Sequence, residues 1–172
     1  MRVGDFLPGS LWIERGVRGD YVELERFHYL RGRPATVAGV WRARYERSEV
    51  GGQRSGRRVV GVAVVSWPVA CMRGREDYFG MRGMRYGEKL RFANANIRTI
   101  SRVIVHPQFR SLGIASRLVR RVLEDCTTRY VEAIAAMGVV HPFFVRAGMT
   151  CVEPVHEEEA AYFIFDRGKE GG

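Results

Sequence analysis

Val103-Ile104-Val105-His106-Pro107-Gln108-Phe109-Arg110-Ser111-Leu112-Gly113-Ile114-Ala115 is the stretch on which the reading of this chain turns. The apolar run from Ile97 to Val105 reads as a strand, and His106-Pro107 ends it, since proline cannot donate to a sheet ladder. Beyond the turn, apolar residues recur at Leu112, Ala115, Leu118, Val119 and Val122. That is the spacing of one helix face, so a helix is expected from Leu112 to Leu123. Gly113 lets the backbone approach a ligand, and small Ala115 leaves the helix start unobstructed. Free amides and the helix dipole at such a junction favour an anion and suit a pyrophosphate, with Arg110 adding charge at its mouth.

Upstream, Leu11 to Arg15 is a short strand candidate. Asp20 reads as the cap of a helix running to about Leu30, where Gly32, Arg33 and Pro34 stop it. Val37 to Tyr45 and Val59 to Trp67 read as a hairpin with a basic tip carrying Arg54, Arg57 and Arg58. Downstream, Tyr130 to Ala136 is a strand, His141 to Ala147 a short helix stopped by Gly148, and Met149 to Val155 with Ala160 to Phe165 a closing strand pair. The order implies an α/β sandwich around one mixed sheet, a single domain over residues 1–172.

Pro68 to Asn96 is the least regular part, an Arg- and aromatic-rich insertion holding Arg73, Arg75, Arg82, Arg85, Lys89 and Arg91. Arginine interleaved with aromatic rings could track phosphates while rings stack on bases. The alternative is a flap covering one side of the sheet.

The 172 residues carry 28 Lys+Arg against 19 Asp+Glu, a formal charge of +9, and all the cations but Lys89 and Lys169 are Arg. Arginine's planar fork fits phosphate, so the excess favours a polyanionic partner; a codon preference for Arg would produce the same bias. No apolar run approaches the ~20 residues of a membrane helix. The N-terminal stretch, broken at Asp5, Pro8 and Gly9, does not read as a secretory signal. Cys71, Cys126 and Cys151 show no metal-binding spacing, and their odd number suits a reducing cytoplasm.

Arg110-Ser111-Leu112-Gly113-Ile114-Ala115 resembles the R-x-x-G-x-G/A signature of the GNAT superfamily of acyl-CoA N-acyltransferases. It follows a V-x-V-x-P-type strand end, and Phe144 to Met149 resembles the family's later segment. The resemblance implies a mostly antiparallel sheet with helices on both faces and a V-shaped splay holding acetyl-CoA or another acyl-CoA. Its pyrophosphate would lie on the amides of Ser111 to Ala115 and its pantetheine along Ile104 and Val105. The chain departs from the family at Phe143 and Phe144, where many members carry a Tyr that protonates the leaving thiolate.

Phe27-His28-Tyr29-Leu30 and Thr99 to Val103 also look like GNAT domains associated with ABC-type ATPases, and like the phage Mom group of DNA-modification proteins. The Mom resemblance implies modification of the adenine exocyclic amine in DNA, nucleic acid as partner and a metal ion as one option. Under it His28, Tyr29 and Glu132 are the catalytic candidates. On the residues alone, His28 is suited to proton transfer and Tyr29 to acting as an acid. Equally, His28 could cap a helix end and Tyr29 pack in the core. Glu132 could face a cleft as base or metal ligand, or form a salt bridge to Arg98 or Arg102. His106 is expected to shape its turn, His141 lies near the expected thioester, and His156 with Glu157 to Glu159 reads as an acidic hairpin tip. The open alternative is an N-acetyltransferase for a small-molecule or protein amine.

Overall fold

A computed structural model of the protein describes residues 9–28, 32–47, 56–135, 142–152 and 160–169. Seven strands form one sheet in the order β1 (Gly9–Arg15), β2 (Gly39–Arg47), β3 (Arg58–Ser66), β4 (Ile97–Val105), β5 (Tyr130–Ala135), β7 (Ala161–Asp166) and β6 (Thr150–Val152). Every neighbouring pair is antiparallel except β4–β5. That parallel pair needs a crossover, and α4 (Ile114–Asp125) supplies it.

The expected strands, the α4 crossover and the closing strand pair are all present. Within α4, Ile114, Leu118, Val119, Val122 and Leu123 are buried, the apolar stripe lying on the same cluster as Val60, Ile100, Val131 and Phe163. The short helix α5 (Phe143–Arg146) covers the same face, with Phe144 buried against Phe163 at 5.0 Å between ring centroids. Across the sheet, Tyr21 and Leu24 of α1 (Arg18–Leu24) pack on Val40, Val62, Val64 and Ile104.

Two expectations are corrected here. Helix α1 begins at Arg18 and ends at Leu24, followed by one tight turn over Glu25–Phe27, and does not reach Leu30. Asp20 sits in its first turn, and its Oδ2 accepts from the Val17 amide at 2.6 Å. The capping carboxylate therefore reaches back along the chain, which moves the start upstream of Asp20. Arg42 also pairs with Asp20 at 3.1 Å, fixing α1 to β2.

The second correction concerns 68–96, which is α2 (Arg73–Tyr78) followed by α3 (Tyr86–Asn96). Three of its rings pack together on the sheet, Phe79 lying edge-on against Tyr78, Phe92 and Tyr130, while Tyr86 is exposed. Arg75 pairs with Glu132, Lys89 with Glu76 and Arg82 with Asp77. Those partners leave the segment far less basic than its cation count suggests, and it is a cover for the sheet. Gly74 permits the close approach, because a Cβ there would lie 2.6 Å from Tyr162 Cβ on β7. Among the described residues no helix is long and apolar enough to cross a membrane.

Candidate active site

The site is organised by what happens along β4. Ile97, Arg98, Thr99 and Ile100 pair in parallel with Tyr130 to Ala133 of β5. From Ser101 onward β4 keeps only its antiparallel partner β3, and its other edge is open among the described residues. The parting coincides with a β-bulge. Val64 faces Arg102 and Val65 faces Ile100, so Ser101 is the extra residue. A bulge adds local twist and bends the strand, here turning β4 away from β5. The result is the V-shaped opening.

At the C-terminal end of β4 the chain enters the tight turn Pro107–Phe109, capped by His106 Nδ1 accepting from the Gln108 amide at 3.3 Å. His106 thus shapes its turn, as expected from the sequence. Burial, and then the charges of Arg58, Arg26 and Arg110, hold its pKa below the usual imidazole value. Ser111 (φ 64°) and Gly113 (φ 73°) then both adopt the left-handed conformation, with Leu112 between them. Such alternation turns amide N–H groups to one side and makes an anion-binding concavity. The first helical hydrogen bond runs from Arg117 N–H to the Gly113 carbonyl, 3.1 Å, so the amides of Ile114, Ala115 and Ser116 have no acceptor within α4. A Cβ on Gly113 would meet nothing within 4 Å, so it would project into the space a ligand needs. Arg110 is held over this turn by hydrogen bonds to the carbonyls of Val105 and Phe27, each 3.3 Å.

These features fit an acyl-CoA on geometry alone. The open edge of β4 at Val105 offers backbone groups to an extended pantetheine arm, whereas the Ile104 backbone faces Val62 of β3. Ser111 to Ala115 offer amides and a helix dipole to a diphosphate, and Arg110 offers charge.

Of the catalytic candidates His28, Tyr29 and Glu132, the two that are described, His28 and Glu132, do not converge. Glu132 faces no cleft: it and Arg75 are each 0% exposed. Arg75 grips the carboxylate with Nε (2.9 Å) and Nη2 (2.6 Å), Thr99 Oγ1 donates to it at 2.6 Å, and Tyr162 Oη donates at 3.0 Å. Its ion-pair partner is therefore Arg75, not Arg98 or Arg102. Burial works against the Arg75 charge, but the hydrogen bonds and charge of Glu132 outweigh it and raise the guanidinium pKa. Burial, followed by the Glu132 charge, raises the Tyr162 phenol well above its usual range.

His28 follows the turn Glu25–Phe27, whose Phe27 ring stacks edge-on with His106 at 4.8 Å. That places His28 near the Val105 end of β4, whereas Glu132 is level with Thr99. Six strand residues separate those levels, roughly 20 Å at about 3.3 Å per residue. Tyr29, His141, His156 and the hairpin tip at Arg54 lie outside the described residues. Arg57, beside that tip, pairs with Glu46 and lies over the Trp12 ring. Phe143 and Phe144 stack at 4.3 Å and serve the core. Among the described residues no group of three or more His, Cys, Asp or Glu is placed to hold a metal ion.

The sequence reading missed Arg75, Tyr162 and the Ser66–Ser101 pair at the bulge, whose hydroxyls lie 2.7 Å apart. A Ser in β4 among branched apolar residues was the one available hint.

The comparisons with known proteins agree with this geometry. Residues 41–149, more than half of the chain, match the family model described as Acetyltransferase (GNAT) family. The chain belongs to the GNAT acetyltransferase family. No curated protein matches it by sequence. Among solved structures it is similar to Arabidopsis thaliana NAA60 in complex with acetyl-CoA, at TM-score 0.57 and 14% identity over 91% of this chain and 97% of that one. A GNAT family acetyltransferase from Brucella melitensis in complex with acetyl-CoA gives 0.52 and 14% over 92% and 89%. An apo-form variant of agmatine N-acetyltransferase gives 0.53 and 14% over 91% and 100%. At such identities the likeness is one of fold.

Proposed function

We propose that this chain is an acyl-CoA-dependent N-acetyltransferase acting on a small-molecule or protein amine. The observation that carries the reading is the open edge of β4 from Ser101, running straight into the left-handed turn at Ser111 and Gly113. Acyl-CoA supplies an acyl group already activated as a thioester. Backbone N–H groups of the open β4 edge would donate to the thioester carbonyl, where negative charge develops as the amine attacks. The amides of Ser111 to Ala115, with Arg110, would hold the diphosphate and so fix the register along Ile104 and Val105. His28 is the retained proton-transfer candidate, because its turn borders this end of β4 and imidazole exchanges protons near neutral pH. Glu132 is read as a buried brace, since Arg75, Thr99 and Tyr162 all donate to its carboxylate.

Isothermal titration with acetyl-CoA tests the first step. Micromolar binding to the native chain, abolished in Gly113→Glu, is the expected outcome; equal binding by both would remove the assigned diphosphate site. His28→Ala should lower kcat with acetyl-CoA affinity unchanged, and a matching pH profile in both proteins would take His28 out of the mechanism.

The charge of +9 keeps a second reading in play, transfer to a base amine of nucleic acid in the manner of the Mom group. It predicts DNA affinity that falls steeply between 50 and 200 mM salt, by about a thousandfold or more for a protein making six or more phosphate contacts. It also predicts a new adenosine-derived mass in DNA from expressing cells. The ion-paired segment 68–96 and the burial of Glu132 weigh against it.

A further inference from the structure

A groove of about 310 Å³ lies on the α1 face of the sheet, floored by Val40 and Val64, walled by Tyr21 and Val37, and rimmed by Arg18 and Arg33. Among the described residues no carboxylate lines it. Glu25 reaches Arg33 at 3.3 Å, whereas Arg18 stands at the rim with no acid beside it in the lining.

Arg102 connects this groove to the open edge of β4. It lies across from Val64 in the β3–β4 register, on the face that carries Ile104 and Val62. Its Nη1 donates to the Ser101 carbonyl at 2.7 Å and its Nη2 to the Gly32 carbonyl at 3.3 Å, next to Arg33. Its Nε is buried and finds no hydrogen-bond partner among the described residues. A buried donor left unmade is costly, and it keeps the Arg102 guanidinium charge beside Val64, directly behind the groove floor.

We infer that this groove receives the acceptor, and that the acceptor is a small amine carrying an anionic oxygen group, a carboxylate or a phosphate. The inference rests on the acyl-transfer reading and names its substrate class. Arg18 and Arg33 hold the anionic end at the rim, Arg102 orients it, and the amine points past the Ser101 bulge toward the V. A di- or polycationic amine would meet two guanidinium groups in the lining, Arg18 and Arg33, with the Arg102 charge behind them and no acid among the described lining residues, and is rejected by charge.

The test uses the full chain saturated with CoA, which cannot transfer, and titrates glutamate, phosphoethanolamine and agmatine as probes. At least one anionic amine binds and agmatine does not; the tighter of glutamate and phosphoethanolamine tells carboxylate from phosphate. Arg18→Gln and Arg102→Gln each weaken the anionic probe about tenfold or more, the scale of one lost charged hydrogen bond, with CoA affinity unchanged. In turnover with acetyl-CoA, the same variants raise KM for the anionic amine more than they lower kcat. Because Arg18 is exposed, its variant reports even where Arg102→Gln fails to fold. Agmatine binding as well as the anionic amines, no binding by either anionic amine, or binding unaffected in Arg18→Gln would overturn the assignment. Loss of CoA binding by the native chain would instead remove the acyl-transfer reading on which it stands.

Discussion

The two halves of β4 are built on opposite plans. From Ile97 to Ile100 the strand is paired with β5, at Thr99 and Ile100 with β3 as well, and Thr99 reaches across to a carboxylate saturated by Arg75 and Tyr162. From Ser101 to Val105 one edge is open, the backbone is bulged and left-handed residues wait beyond its end. Between them lies one inserted residue. The closed half shows what it takes to hold a V at its base: a buried bidentate ion pair ties strand β5 to helix α2 while a threonine ties β4 to β5. The open half shows what that rigidity is for, since backbone donors can stabilise developing charge only if they are held in place before the reaction.

The sharpest way to break the comparison is at the brace. Arg75→Met strands the Glu132 carboxylate in the core and should cost about 3–5 kcal/mol, read from denaturant unfolding. The double change Arg75→Met with Glu132→Leu should recover much of that loss, because a well-packed apolar pair can replace a buried ion pair. A double variant no more stable than the single one would show that Glu132 is not paying a desolvation cost in the fold.

Gly113→Glu attacks the other half. Forcing a side chain into the left-handed region should cost about 1–2 kcal/mol, while acetyl-CoA affinity is lost entirely. Stability and binding thus separate: the brace governs the first and the turn governs the second. Thr99→Val is milder, about 1 kcal/mol for one hydroxyl bond, since Arg75 still grips the same carboxylate. If the brace sets the opening of the V, acetyl-CoA affinity should also fall in Thr99→Val; unchanged affinity would confine Thr99 to stability.

The smallest effect expected is one of pH. The His106 imidazole is held below its unfolded value by burial and then by Arg58, Arg26 and Arg110. The unfolded chain therefore binds the proton more readily, so stability is full above the unfolded pKa and falls as pH drops through the folded one. His106→Gln should flatten the stability profile below about pH 6.5, the ordinary imidazole value. An unaltered slope would mean that another group carries the acid limb.

Much of the open half was legible beforehand. Ile97 to Val105 matches β4 from end to end, and the left-handed turn at Ser111 and Gly113 lies within the segment singled out for a diphosphate. The closed half was not. Arg75 stood among several arginines of a segment with no apolar periodicity, and nothing marked it as the one aimed 57 residues downstream at Glu132. The same blindness left 68–96 open between a nucleic-acid grip and a flap: counting cations in a sequence cannot reveal which are cancelled by acids that the fold brings close. His28 and Glu132 were grouped by the Mom resemblance, yet β4 holds their levels six residues apart.

Local pattern thus determined the strand–turn–helix, the order of the elements and the family, because periodicity, proline, glycine and capping act within a few residues of one another. Only tertiary structure decided where the V parts, which carboxylate is entombed and which arginines gather around the α1 groove. Those outcomes depend on sheet register and on partners distant in the chain, and burial then sets whether each charge is neutralised in the core or left to meet a ligand.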